Sequence, residues 1–334
     1  MPDINAADRK STASDVAKLA GVSKWTVSRA FTPKASISQH SREKVLKAAD
    51  ELGYKPNLLA RGLSKNKSNI IGIVVDNFEN PHKLMLLNEV TTQLQNKAKI
   101  AMVLNISNAN SSTRVLTQAD QFQVDALIFL GSFITEELIE LAITIKHIPF
   151  VVVGRSTDIT NLNVISTDDI SAGQEIAKLL MTQGFSRFGF MSGPESQSTW
   201  LARFEGYKSY LAKSNINVEA VLKAGKYDRQ RGFAVMDSYL IDHGDDHVEA
   251  IFCENDILAI GALDAIKKHG KKIAVVGFDN IELANATSFA LTSYRQPLNL
   301  MVAQALKVIE DPNASSSQQL PGKLVLRNSH KNSQ

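Results

Sequence analysis

The sequence predicts an N-terminal all-α helix-turn-helix headpiece followed by a doubly wound α/β domain, and three observations carry that prediction. Thirteen Lys or Arg against four Asp or Glu lie between Arg9 and Lys67, a net charge of +9, while the whole chain carries +3. Basic character is therefore concentrated at one end, as polyanion binding requires. In the same stretch, two short amphipathic patterns flank Ala20-Gly21-Val22-Ser23. Beyond residue 68, apolar runs alternate with amphipathic ones, the signature of parallel strands and crossover helices.

The first short helix spans Asp15–Ala20 and places Val16, Leu19 and Ala20 on one face. Gly21 ends it, since a residue without Cβ turns most easily there. Ser23 caps a second helix, Lys24–Phe31, which buries Val27, Ala30 and Phe31 and leaves Lys24, Trp25, Thr26, Ser28 and Arg29 outside. A short helix with a polar, basic face suits the major groove. For the charge alone, the alternative is a solvated lysine-rich surface; for Trp25, it is packing in the core.

A chain of 334 residues with 44% hydrophobic content holds two or three domains and a sizeable core. Its one cysteine, Cys253, lies in the apolar run Ala250-Ile251-Phe252-Cys253, so an intramolecular disulfide and a cysteine-based zinc cluster are excluded, and a small core residue is expected. The opening MPDINAADRKST has no apolar signal core, and no run approaches the roughly 20 apolar residues that span a bilayer. A cytoplasmic protein with no membrane partner is expected. No nucleophile elbow, phosphate loop or HExxH metal motif is present, which argues against an enzyme and implies neither cofactor nor metal.

Candidate strands follow in order: Ile70–Val75, Ala101–Leu104, Ala126–Leu130, Phe150–Val153, Phe188–Met191, Ala250–Cys253 and Ala274–Phe278. In doubly wound sheets, ligands collect at the carboxyl ends of strands. The loops starting at Asp76, Gly131, Gly154, Gly193, Glu254 and Asp279 are therefore the candidate ligand site.

The segments DVAKLAGVSKWTVSRAF, SREKVLKAADELGYKPNLLARGL, IIGIVV, VVGFDN and LPGKLVLRNS, in that order, resemble the lactose-repressor (LacI) family of bacterial transcription regulators over nearly the whole chain. The resemblance implies a helix-turn-helix DNA-binding headpiece at 12–55, a hinge helix and linker at 56–68, and a two-lobed effector-binding and dimerisation domain at 69–330. Each lobe of that last domain is a doubly wound α/β unit resembling periplasmic binding proteins. The lobes are expected at 69 to about 180 plus 296 to about 322, and at about 181 to 295 plus the last strand.

Carried over by resemblance, Lys24, Trp25 and Thr26 begin the recognition helix, and Arg29 reaches a base or phosphate farther along it. Ser14, Ser23, Thr26, Ser28, Ser36 and Ser38 orient the reader on phosphates. In the hinge segment, Asn57 and Arg61 accompany Leu63, an apolar wedge for the minor groove. Pro56 can open that helix, but Gly62 weakens it, so it is too short to stand alone.

For the effector, the resemblance implies Asp169, Arg203, Asn255, Asp279 and Gln296, with Asp76, Phe78, His82, Trp200 and Tyr227 nearby. Helix capping, turns and interdomain hydrogen bonds are the alternative roles of these polar residues. Where family members often carry aromatics after Asn-Pro, this chain reads Asn80-Pro81-His82-Lys83, which puts a neutral hexose in doubt. Exposure at the surface is the ordinary expectation for Lys83. The implied protein is a homodimeric, ligand-responsive repressor of a pseudo-palindromic operator, with a small sugar or sugar derivative as effector. The alternative is a cytoplasmic solute-binding protein that sequesters or transports a ligand.

Overall fold

The computed structural model describes residues 10–32, 35–57, 67–76, 78–106, 109–131, 148–156, 162–195, 201–311 and 317–332. The chain divides into two compact units, Met1–Ser68 and Asn69–Gln334.

The first unit holds three helices: α1 (Ala13–Ala20), α2 (Lys24–Ala30) and α3 (Gln39–Glu51). Thr12 and Asp15 cap α1 reciprocally, and Gly21 closes it with φ +63°, the left-handed conformation the sequence requires of it. Ser23 and Ser38 cap α2 and α3 by accepting from the Thr26 and Ser41 backbone N–H groups. Val16, Ala17, Val27, Ala30, Val45, Ala48 and Ala49 form the core. Leu19, expected inside, is 47% exposed, because the face of α1 turned to α2 and α3 is centred on Val16 and Ala17. Phe31 falls just past α2, half-buried, with its ring edge-on to Tyr54.

The second unit contains two parallel-rich sheets. In the first lobe, β1 (Ile70–Val75), β2 (Ile100–Asn105), β3 (Ala126–Phe129), β4 (Phe150–Val153), β5 (Asn163–Thr167) and β11 (Ser317–Leu320) run in the order β11-β5-β4-β3-β1-β2, with every pair parallel. One face packs on α4 (Pro81–Asn96) and α10 (Leu298–Glu310), and the other on the helix α5 (Ala109–Gln121).

The second lobe orders its strands as β12-β10-β9-β8-β6-β7: β6 (Phe188–Ser192), β7 (Val218–Lys223), β8 (Ala250–Cys253), β9 (Ala274–Phe278), β10 (Thr292–Arg295) and β12 (Lys323–Val325). Only β12 is antiparallel among these described strands. Helices α6 (Asp169–Thr182) and α7 (Arg203–Ala212) cover one face, α8 (Arg229–His243) and α9 (Asp256–Lys268) the other. Cys253 is fully buried, and burial pushes its thiol pKa well up, so it stays a protonated core residue.

One lobe boundary differs from the sequence expectation. Helix α6 was placed in the first lobe, but its Ala172, Ile176, Ala177 and Leu180 pack with Phe188, Phe190 and Tyr207 of the second. The first crossing therefore lies at Thr167–Asp168, and the others at Gln296–Pro297 and Pro321–Gly322. Strands β5, β7, β10 and β11 were not read from the sequence. Three of them are short and polar, and β7 alternates as a half-exposed edge strand. Among the described residues, no helix is long and apolar enough to cross a membrane.

Candidate functional site

On the headpiece, α2 buries Val27 and Ala30 and exposes Lys24, Trp25 and Ser28, whereas Thr26 and Arg29, expected outside, are half-buried. Trp25 is 66% exposed, which rules out the core-packing alternative. The Arg29 guanidinium lies 4.2 Å from the centre of its ring, a cation–π contact that orders a large flat side chain in the open. Arg42 anchors the end of this helix from α3, donating to the Ala30 carbonyl at 2.6 Å. The Ser23 hydroxyl is engaged with Thr26, and that of Ser38 with Ser41. Ser36 is exposed and Ser14 half-buried. Asn57 is exposed at the end of this unit, whereas Arg61 and Leu63 lie outside the described residues.

The second unit carries a cleft at the carboxyl ends of both sheets, with about 50 Å³ of free volume. Its walls include His82, Lys83, Arg155, Arg203, Tyr227 and Glu254, together with Asn255, Asp279 and Gln296. Doubly wound topology explains the gathering: each βα loop leaves its strand on this side. Four of the loops proposed from sequence supply lining residues, Gly131, Gly154, Glu254 and Asp279. Of the other two, Gly193 donates its N–H to Glu254 Oε2 at 2.5 Å, and Asp76 pairs with Lys83.

Arg203, the first residue of α7, is 2% exposed and bonds Asp169 Oδ1 through Nε at 3.2 Å and Nη2 at 3.0 Å. Its Nη1 donates to the Glu254 carbonyl at 2.8 Å, and its guanidinium lies 3.5 Å from the Phe278 ring centre. Burial raises the Asp169 pKa, opposed by Arg203. Glycines set this geometry: a Cβ on Gly173 would lie 2.0 Å from the Arg203 carbonyl, and one on Gly206 2.1 Å from that of Ile170. Only glycine lets α6 and α7 approach closely enough for their N-termini to meet.

Asp279 follows β9 directly in a backbone conformation with φ +108°, sparsely allowed for a residue with a side chain, and is 4% exposed. Asp256 steadies this loop, accepting from Ser293 Oγ at 2.6 Å and the Ile281 N–H at 2.8 Å. Gln296 completes the arrangement. It donates to Asp279 Oδ1 at 2.7 Å, contacts His82 Nε2 at 3.1 Å and accepts from Thr167 Oγ1 at 2.7 Å.

With Nε2 accepting from Gln296, His82 carries its proton on Nδ1. That atom is buried without a hydrogen-bond partner, 3.6 Å from Asp279 Oδ1. Burial lowers the His82 pKa, so the ring is neutral.

The cleft thus brings together His82, Arg203, Tyr227, Asn255, Asp279 and Gln296, with Asp169 directly behind Arg203. Asp76 stands behind Lys83 rather than on the wall, and Phe78 is 37% exposed and does not line it. Trp200 lies outside the described residues. Lys83, expected at the surface, is 6% exposed because it reaches inward to Asp76, and burial lowers its pKa. Sequence reasoning missed Arg155 and Asp256 and gave Glu254 no role beyond starting a loop; Gly154 before Arg155 and the run Glu254-Asn255-Asp256 after a strand were the available signals.

Residues 12–57 match the family described as "Bacterial regulatory proteins, lacI family", and residues 177–330 match "Periplasmic binding protein-like domain". Among curated relatives, the HTH-type transcriptional repressor PurR of Histophilus somni (strain 129Pt) is 27% identical over 307 residues, covering 89% of this chain and 91% of the relative. The PurR of Vibrio vulnificus (strain CMCP6) is 29% identical, covering 89% and 90%. The Lac repressor dimer bound to operator and the anti-inducer ONPF superposes with TM-score 0.85 at 24% identity, over 97% of this chain and 100% of that one. The regulator CelR in complex with cellobiose gives 0.71 at 24%, over 96% and 99%. The two family matches fall on the two structural units: the chain carries a LacI-family regulatory headpiece on its helical unit and a periplasmic binding protein-like domain on its cleft-bearing unit.

Proposed function

We propose that this regulator is a cytoplasmic repressor that binds a pseudo-palindromic operator as a homodimer and responds to a small sugar or sugar derivative in the cleft of its second unit. The observation that carries the reading is one chain holding both a reader face of exposed Lys24 and Trp25 with half-buried Arg29 against the indole, and a cleft walled by buried polar side chains. The domain limits that go with it are 12–55 for the reader, 56–68 for the hinge and 69–330 for the effector and dimerisation domain. In the hinge, Asn57, Arg61 and Leu63 meet the minor groove.

Lys24 and Trp25 choose bases. Arg or Lys pairs with guanine O6 and N7, and an indole offers a flat apolar face and one N–H donor. Ser14, Ser23, Thr26, Ser28, Ser36 and Ser38 orient the reader on phosphates. The caps at Ser23 and Ser38 do so through the free N–H groups of the helix ends they organise. A second copy fits the first lobe, where Leu84 on α4 and Ile100 and Val103 on the edge strand β2 are exposed apolar residues.

Effector bound between the lobes would work on the three crossings. Gln296 sits at one of them and touches both Asp279 and the Thr167 of another, so a ligand on Asp279 bears directly on two of these crossings. Selection of binding sites from a randomised DNA pool tests the reading. Recovery of a palindromic site that Arg29→Ala binds more weakly supports it, and recovery of no preferred sequence overturns it.

A further inference from the structure

Arg155 follows β4, lines the cleft and is 7% exposed. Among the described residues its one hydrogen bond runs from Nη2 to the Tyr227 hydroxyl at 2.9 Å. No carboxylate among those residues forms an ion pair with it. The other two cations of the wall are already neutralised, Lys83 by Asp76 and Arg203 by Asp169. The nearest acid to share the Tyr227 hydroxyl is Glu254, whose Oε2 accepts from that hydroxyl at 3.0 Å and from the Gly193 N–H. A buried guanidinium with most of its five donors unused is costly unless something meets it, and its planar fork matches a carboxylate or phosphate.

A second group of lining residues has a different character. His82 Nδ1 and the Asn255 side-chain amide are buried donors without partners, on residues 8% and 2% exposed. His82 Nδ1 faces the acceptor Asp279. A donor and an acceptor side by side fit a hydroxyl, which gives one hydrogen bond and takes another. The N-termini of α4, α7 and α9 all open on the cleft at Asn80, Arg203 and Asn255, adding positive partial charge.

We propose that the effector is a polyhydroxylated molecule bearing an oxyanion, a sugar acid or a sugar phosphate. Arg155 beside Lys83 takes the oxyanion, and His82, Asn255 and Asp279 read the hydroxyls. The inference rests on the cleft being the effector site.

The test uses the full chain and a matched panel: D-glucose and D-galactose, their aldonates and uronates, and their 6-phosphates. Thermal shift is followed by calorimetry at fixed ionic strength. The expected result is stabilisation by a charged member and not by its neutral parent. The carboxylate and phosphate arms separate the two sources of oxyanion. Arg155→Gln should weaken the charged hit at least tenfold and Arg155→Lys less, with circular dichroism checking each fold.

Binding of a neutral hexose as tightly as its acid, an unchanged affinity in Arg155→Gln, or no stabilisation by any charged member overturns the inference. A neutral hexose whose binding is lost in Asp279→Ala would leave the cleft as effector site while removing the anion. A charged hit equally bound by Arg155→Gln and Asp279→Ala would remove both.

Discussion

Trp25 and Arg29 act as a pair, because the guanidinium over the indole fixes where an otherwise free ring points. Trp25→Ala should therefore change which bases the reader prefers, and Arg29→Ala should weaken operator binding by about 1–3 kcal/mol, the worth of a good base contact. Sequence selection and titration at fixed salt check both; identical preference in Trp25→Ala would move specificity elsewhere. The Arg203–Asp169 pair behaves differently. By motif alone, Arg203→Ala is a clean loss of ligand contact, but here it would strand Asp169, 5% exposed, without its partner. Breaking such a buried pair costs about 3–5 kcal/mol, so the variant should melt earlier as well as lose ligand response. Among the described residues, Asp279→Ala relinquishes no ion pair with Arg or Lys, and it is the cleaner test of the site. These roles divide along what a sequence can carry. Trp25 was legible as an outward residue because helical period fixes faces, and Asp279 because it ends an apolar strand. Arg155 and the buried state of Lys83 were not, since burial of a charge depends on partners brought in by other elements, Tyr227 and Asp76 in these cases.

At the scale of elements, the cleft depends on one helix crossing, α6 on α7, made by two glycines. Gly173→Ala would press a methyl group to within 2.0 Å of the Arg203 carbonyl, so α7 must move or α6 must bend. Overpacking of this kind costs about 1–3 kcal/mol, and Arg203 would shift with its helix. Urea denaturation should show the loss, and an unchanged midpoint with unchanged ligand affinity would contradict the crossing as described. A second element-scale test concerns pH. His330, 5% exposed, bonds Thr292 Oγ1 and has its pKa lowered by burial and then by Lys331. A depressed histidine binds its proton more readily in the unfolded chain, so stability falls as pH drops below the ordinary value of 6.5. His82 adds in the same direction. His330→Gln should flatten the dependence of the urea midpoint between neutral and mildly acidic pH, and an equally steep dependence would remove His330 as a source. Six of the seven strands read from the sequence were legible as apolar runs because parallel strands buried on both faces have no polar positions, while the edge strand β2 keeps an apolar run although Ile100 and Val103 are exposed. Strand β10, Thr-Ser-Tyr-Arg, gives no such run, since its buried Thr292 and Ser293 are satisfied by specific hydrogen bonds with His330 and Asp256.

In the whole molecule, one chain joins a DNA reader to a ligand cleft, and linkage requires that the coupling be mutual: if ligand changes DNA affinity, DNA changes ligand affinity by the same factor. In the proposed function, the hinge contributes through Leu63. Leu63→Ala should reduce DNA bending and specific affinity while leaving salt dependence similar, because an apolar wedge is lost and no phosphate contact is. Circular-permutation gel shifts report the bend, and an equal bend in mutant and parent would exclude the wedge. The order of the domains and the family were legible from local motifs, whereas the lobe crossing at Thr167–Asp168 was not, because α6 has the same amphipathic pattern whichever sheet it covers. The most direct measurement of the central claim is titration of the full chain onto its selected operator, with and without a ligand that stabilises it, in wild type and in Asp279→Ala. The account predicts a ligand-dependent change of about 5- to 150-fold in wild-type affinity, of either sign, and none in Asp279→Ala. An operator affinity that stays constant while the ligand saturates the wild-type protein would contradict it.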